Sequence, residues 1–239
     1  MVSWRPDYLG PAALNRAWTL VNGEKCPMSR GDLILTPTGL WHEHGHDGSE
    51  PVIWLDVLDL PLVYYIEASY HEEVPSQTVV PGQGARAYAR GGVVPTPVFG
   101  RSDKAYPMLR YPWADAKAAL LSLAEDQPAL DAVQVTYVNP ETGRDAENIL
   151  GFYALMLRPG QTLSLPARSP AQVLHQIEGS ADVQVEGAAA FTLAEADTCA
   201  VPGYTACTLS NRSATEPAFL FVADESPLHR KLGVYENRG

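Results

Sequence analysis

Gly31-Asp32-Leu33-Ile34-Leu35-Thr36-Pro37-Thr38-Gly39-Leu40-Trp41-His42-Glu43-His44-Gly45-His46 opens on a Gly-Asp turn, crosses an apolar run and ends in alternating histidines. The same plan returns 165 residues further on as Ala196-Asp197-Thr198-Cys199-Ala200-Val201-Pro202, with Tyr204 in step with Gly39. With one added residue, Glu50-Pro51-Val52-Ile53-Trp54 then matches Glu216-Pro217-Ala218-Phe219-Leu220, and Pro61-Leu62 matches Pro227-Leu228. Each match alone is weak, because Asp and Pro recur in turns. Their common order and near-constant offset identify two copies of one strand-turn-strand unit.

Twenty prolines and nineteen glycines punctuate short runs of Val, Leu, Ile, Tyr and Phe, a pattern of short strands bounded by turns. The clearest predicted strands are Leu33 to Thr36, Val52 to Leu55, Tyr153 to Leu157, Val173 to Ile177 and Ala218 to Val222. One helix is predicted from about Pro112 to Glu125, with Ala116, Ala119, Leu120 and Leu123 as its apolar face and Pro128 as its stop. A twofold repeat of this kind predicts a mostly β chain of two double-sheet barrels of the cupin, or jelly-roll, type. The expected division is an N-terminal, incomplete cupin over 1–75, a linker with a short helix over 76–130, and a C-terminal cupin over 131–239.

The chain has 46% hydrophobic and 19% charged residues, which excludes disorder, and no apolar run is long enough to span a bilayer as a helix. A net charge of −11 spread along the chain disfavours nucleic-acid and anionic-membrane surfaces. Cys26, Cys199 and Cys207 form neither a metal spacing nor an even-numbered disulfide framework, and the amino terminus shows no signal-peptide pattern. These features point to a reducing, cytoplasmic setting and a small-molecule role.

Residues two apart on a strand share a face, so His42 and His44 can both point into a barrel if the strand stays extended through Glu43. Neutral imidazole is the usual ligand of iron, zinc or copper, although an H-x-H-x-H run beside Gly and Asp also suits a solvated loop. His46, followed by Asp47, Gly48 and Ser49, is expected in such a loop. The run Gly-x5-Pro-x-Gly-x2-His matches the second cupin signature, whose final histidine is a metal ligand, which makes His42 the candidate ligand. Asp56, in Trp54-Leu55-Asp56, adds an acidic group to the same barrel. In the second copy Cys207 and Leu209 replace His42 and His44, so that copy is expected to hold no metal, and the lone His175 reads as structural.

With these residues placed, Gly31 to Val63 closely resembles the catalytic cupin of the gentisate, salicylate and 1-hydroxy-2-naphthoate dioxygenases. That family carries Gly-Asp-x-Ile-x-Thr-Pro, Trp-His-x-His-Gly and Trp-Leu-Asp-x-Leu-Asp-x-Pro. The likeness continues through Pro107-Met108-Leu109-Arg110-Tyr111-Pro112-Trp113, Tyr137-Val138-Asn139-Pro140-Glu141-Thr142-Gly143 and Leu157-Arg158-Pro159-Gly160. The resemblance implies a bicupin enzyme, an extradiol-type Fe(II)-dependent dioxygenase that opens the ring of a hydroxylated aromatic acid with dioxygen. His42 would be a ligand, His44 would hydrogen-bond substrate and Asp56 would orient both. Family members assemble, so a homo-oligomer is implied.

In the family two further iron ligands come from an H-x-H pair. Register against Leu174 to Glu178 puts that pair at Met1 and Ser3, and Arg5 to Asn15, with Pro6, Gly10 and Pro11, lacks the family's substrate-binding arginine. The expectation is a truncated or frame-disrupted relative that binds iron poorly, with Glu43, Asp56 and His71 as the side chains left to replace the pair. The alternative is a catalytically silent bicupin that binds an aromatic acid or forms oligomers.

Overall fold

The computed structural model describes residues 2–4 by their backbone, and 17–49, 51–73, 75–80, 88, 93–96 and 106–239 in full. The chain divides into two compact units, Met1–Trp113 with Asn139–Gly143, and Ala114–Val138 with Arg144–Gly239. Among the described residues no helix is long and apolar enough to cross a membrane.

The first unit contains β1 (Val2–Trp4), β2 (Ala17–Val21), β3 (Glu24–Pro27), β4 (Leu33–Ile34), β5 (His42–His46), β6 (Ile53–Leu55), α1 (Leu60–Tyr65) and β7 (Arg110–Tyr111). One sheet has the order β6-β1-β4-β7 and the other the order β3-β2-β5. Strand β4 is shorter than its apolar run: Leu35 donates its N–H to Leu109 O at 2.8 Å, and Pro37, with no N–H, cannot extend the ladder.

The helix α2 (Trp113–Asp126) starts one residue later than predicted and joins the two units. Trp113, Ala116 and Leu120 are buried, whereas Ala119, expected on that face, is exposed. The 3.6-residue period favours Trp113, which also places Ala116 and Leu120 one and two turns on.

The second unit is built from β8 (Val133–Thr136), β9 (Gly151–Leu157), β10 (Thr162–Leu165), β11 (Gln172–Glu178), β12 (Ala181–Val185), β13 (Phe191–Leu193), β14 (Thr198–Val201), β15 (Cys207–Ser210) and β16 (Ala218–Asp224), followed by α3 (Ser226–Leu232). A five-stranded sheet, β14-β11-β16-β9-β8, and a four-stranded sheet, β10-β15-β12-β13, enclose one apolar core. Leu155, Leu174, Leu220 and Val222 from the first sheet meet Leu163, Val183, Leu193 and Leu209 from the second. All strand pairs are antiparallel, as in a cupin-type double sheet.

The repeat holds at atomic detail. Ser29 N donates to Asp32 Oδ2 at 3.0 Å, and in the second copy Ala194 N donates to Asp197 Oδ2 at 2.9 Å. Both positions before these aspartates are left-handed: Gly31 at φ 78° and Ala196 at φ 75°. Gly39 and Tyr204 correspond in the same way, at φ 79° and 59°. Pro61 and Pro227, matched in sequence, each open a short helix instead of a strand. An L-residue in this region costs about 1–2 kcal/mol, and glycine carries none of that steric cost while losing more chain entropy. Ala196→Gly is therefore expected to stabilise the second unit by about 0.5–1 kcal/mol in urea denaturation; a destabilised variant would contradict the reading of Ala196 as strained.

Candidate functional site

Asn22 (φ 47°) and Gly23 (φ 91°) form the two-residue turn between β2 and β3. Two left-handed residues make the tight hairpin that Asn-Gly favours, and they fix the register of β2. On the other edge of β2, β5 pairs Val21 with His42, Thr19 with His44 and Ala17 with His46. Side chains therefore alternate across β5: the three histidines share one face, and Glu43 and Gly45 take the other. His46 is the last residue of β5 and not part of a loop, because the pairing continues to Ala17.

Gly45 is required where it stands. A Cβ there would lie 2.1 Å from Trp18 Cζ2, so the indole occupies the space above the strand. Lys25 Nζ sits 4.6 Å from the centroid of that indole on the same face.

On the histidine face, the rings of His42 and His44 lie 5.7 Å apart. His44 is also 5.4 Å from the ring of Trp54, on β6. His42 is exposed, and its Nδ1 is 3.3 Å from Leu40 O. A carbonyl can only accept, so Nδ1 carries the proton and the neutral ring keeps a lone pair on Nε2. His44 is half-buried, and its Nδ1 lies 2.9 Å from Thr19 Oγ1. Burial and the nearby His42 pull its pKa below the usual histidine value, against the opposing charge of Asp56. Asp56 is exposed, one residue past the end of β6. Two imidazoles, an indole and a carboxylate thus suit binding of a flat ring bearing hydroxyl or carboxyl groups.

The remaining candidates are dispersed. Glu43 projects from the opposite face of β5, and His71 is exposed outside any regular element. The backbone of Ser3 is described, opposite Trp54 on β6, while Met1 and Arg5 to Asn15 lie outside the described residues. Val2, paired with Leu55 and Leu33, occupies the register position that His175 holds between Phe221 and Thr198.

Iron of the kind the family carries needs about three protein ligands to be retained with open positions. Among the described residues no group of three or more His, Cys, Asp or Glu could hold a metal ion. The described side chains do not by themselves fit a bound iron. In the second copy, Cys207 and Leu209 are buried in the apolar core. Burial pushes the Cys207 thiol up to about 11, so it is no thiolate at neutral pH. His175 is 3% exposed with Nδ1 2.8 Å from Thr198 Oγ1, a satisfied core histidine.

Known proteins resemble this chain in sequence and in fold. A model of the cupin domain matches residues 16–58, the stretch that carries β2 to β6. Gentisate 1,2-dioxygenase of Ralstonia sp. is 73% identical over 223 residues, 93% of this chain and 62% of the relative. Along nearly its whole length the chain is similar to the gentisate 1,2-dioxygenases. A second relative, 5-aminosalicylate 1,2-dioxygenase of Comamonas sp., is 30% identical, covering 92% of this chain and 59% of its own length. The crystal structure of salicylate 1,2-dioxygenase from Pseudoaminobacter salicylatoxidans, in adducts with gentisate, superposes with a TM-score of 0.80. It is 26% identical, with 94% of this chain and 63% of that one covered. The chain spans about three fifths of the length of the dioxygenases it matches.

Sequence reasoning passed over Thr19 and Met28. The Asn22-Gly23 hairpin signals only the pairing of β2 with β3; the pairing with β5 that sets Thr19 opposite His44 has no such local signal.

Proposed function

We propose that this chain serves Fe(II)-dependent, ring-cleaving dioxygenation of a hydroxylated aromatic acid of the gentisate or salicylate type. The observation that carries the reading is the cluster of His42, His44 and Trp54 on the segment that matches the cupin domain. The iron of that reaction would supply the dioxygen chemistry. Among the described residues His42, with Nε2 left for a ligand, is the candidate ligand. His44 would take a hydrogen bond from the acid's hydroxyl, Trp54 would flank the ring, and Asp56 would hold His44 through its charge.

The lack of a three-ligand group among the described residues favours a second reading for the 239-residue chain acting alone, an aromatic-acid-binding bicupin without turnover. Both readings share the ligand. The buried thiols of Cys26 and Cys207 suit a reducing, cytoplasmic setting. Exposed Tyr64, Tyr65, Ile66 and Tyr70 beside α1 support a homo-oligomer.

Isothermal titration of gentisate into the chain tests the shared claim. His44→Ala is expected to weaken binding about tenfold, the effect of one lost hydrogen bond to a partly buried group. Equal affinity in the wild type and His44→Ala would remove His44 from the site.

A further inference from the structure

We infer that Thr19 is a positioning residue for His44: with Met28 it fixes the ring so that Nε2 faces the aromatic acid as a hydrogen-bond acceptor. The inference rests on the proposed aromatic-acid site and extends it one layer inward.

Thr19 is fully buried, at 0% exposure, in the middle of β2. Its hydroxyl donates to Met28 Sδ at 3.6 Å and lies 2.9 Å from His44 Nδ1. A hydroxyl has one proton and two lone pairs. With that proton taken as directed at the sulfur, Oγ1 meets the imidazole with a lone pair and Nδ1 is the donor. The neutral ring then carries its proton on Nδ1 and a lone pair on Nε2, the one ring nitrogen left for a ligand. Fixing a histidine's tautomer from behind is a common task of buried hydroxyl and carbonyl groups.

The second copy shows that the fold itself does not call for these polar groups. By strand register Thr19 and His44 correspond to Val183 and Leu209, which also stand opposite each other. Met28 corresponds in sequence to Leu193. All three residues of the second copy lie in its apolar core. The same barrel position closes with apolar side chains where Leu209 stands in place of His44, so a buried threonine beneath His44 is explained by what His44 does.

Nitrogen-15 NMR of the histidine-labelled 239-residue chain at pH 8 reads the tautomer directly. The wild type and Thr19→Ser are expected to show His44 protonated at Nδ1, whereas Thr19→Val gives a mixture. Met28→Leu, which conserves volume, frees the hydroxyl proton for Nδ1 and is expected to shift the ring toward the Nε2-protonated form. Gentisate affinity should fall about tenfold in Thr19→Val and be restored in Thr19→Ser. A wild-type ring protonated at Nε2, or a tautomer unchanged in Thr19→Val, overturns the inference. If the tautomer follows Thr19 while the wild type binds no gentisate, the positioning stands and the proposed aromatic-acid role fails.

Discussion

Asp32→Ala is expected to lower the unfolding free energy of the first unit by about 3–5 kcal/mol, the cost of removing one partner of a buried ion pair. Asp32 is 1% exposed. Its Oδ2 accepts from Ser29 N at 3.0 Å and from Arg110 Nε at 2.8 Å, and its Oδ1 from Trp113 N at 2.9 Å. Arg110 Nη2 is a further 2.7 Å from Oδ2. One side chain thereby ties the Gly-Asp turn to β7 and to the first residue of α2. Burial raises the Asp32 carboxyl above its ordinary pKa, and the Trp113 N–H and Arg110 guanidinium act against that shift. Alanine would strand two backbone N–H groups and a guanidinium that is only 28% exposed. Asn, which keeps an acceptor for Trp113 N, should fall between the two. Urea denaturation followed by circular dichroism measures the effect, and a loss under about 1 kcal/mol would show that solvent replaces the contacts.

Gly45→Val is expected to cost about 1–3 kcal/mol as an overpacked substitution and to disturb β5 itself. A Cβ at 2.1 Å from Trp18 Cζ2 is far inside van der Waals contact. Trp18 stands directly opposite Gly45 in the ladder, so the indole must swing away or the strand must lift. Either movement displaces His44 and His46, the neighbours on the strand. The signature is a drop in melting temperature with a changed tryptophan emission. Trp18→Leu combined with Gly45→Ala should recover most of the loss, because the double variant removes the clashing ring. Independent, additive effects of the two substitutions would show that ring and strand do not collide.

The sequence was most readable where two copies could be compared. Gly31 and Ala196, Asp32 and Asp197, and Pro37 and Pro202 lie in the same turn geometry in both copies, because left-handed positions and turn hydrogen bonds leave few residue choices. Alternation placed His42 and His44 on one face of a strand, and the pairing with Val21 and Thr19 agrees. His46 was assigned to a loop because Asp47 and Gly48 outweighed the alternation, yet the ladder to Ala17 carries it into the strand. Ala119 was assigned to a buried face that Trp113 takes instead, since apolar spacing alone does not say where a helix face is centred. Thr19, Met28 and Trp18 were missed because their roles arise across strands, and a single sequence does not display cross-strand neighbours until the register is known.

The most direct test of the account is the iron content of the 239-residue chain after anaerobic Fe(II) loading and desalting, paired with a spectroscopic ring-cleavage assay on gentisate, salicylate and 1-hydroxy-2-naphthoate. With no three-ligand group among the described residues, the reading of the 239-residue chain alone as an aromatic-acid-binding bicupin predicts iron well below one per chain and no ring-cleaved product, while gentisate still binds. Near-stoichiometric iron with turnover would contradict that reading, and would mean that other residues of this chain complete the metal site of a dioxygenase.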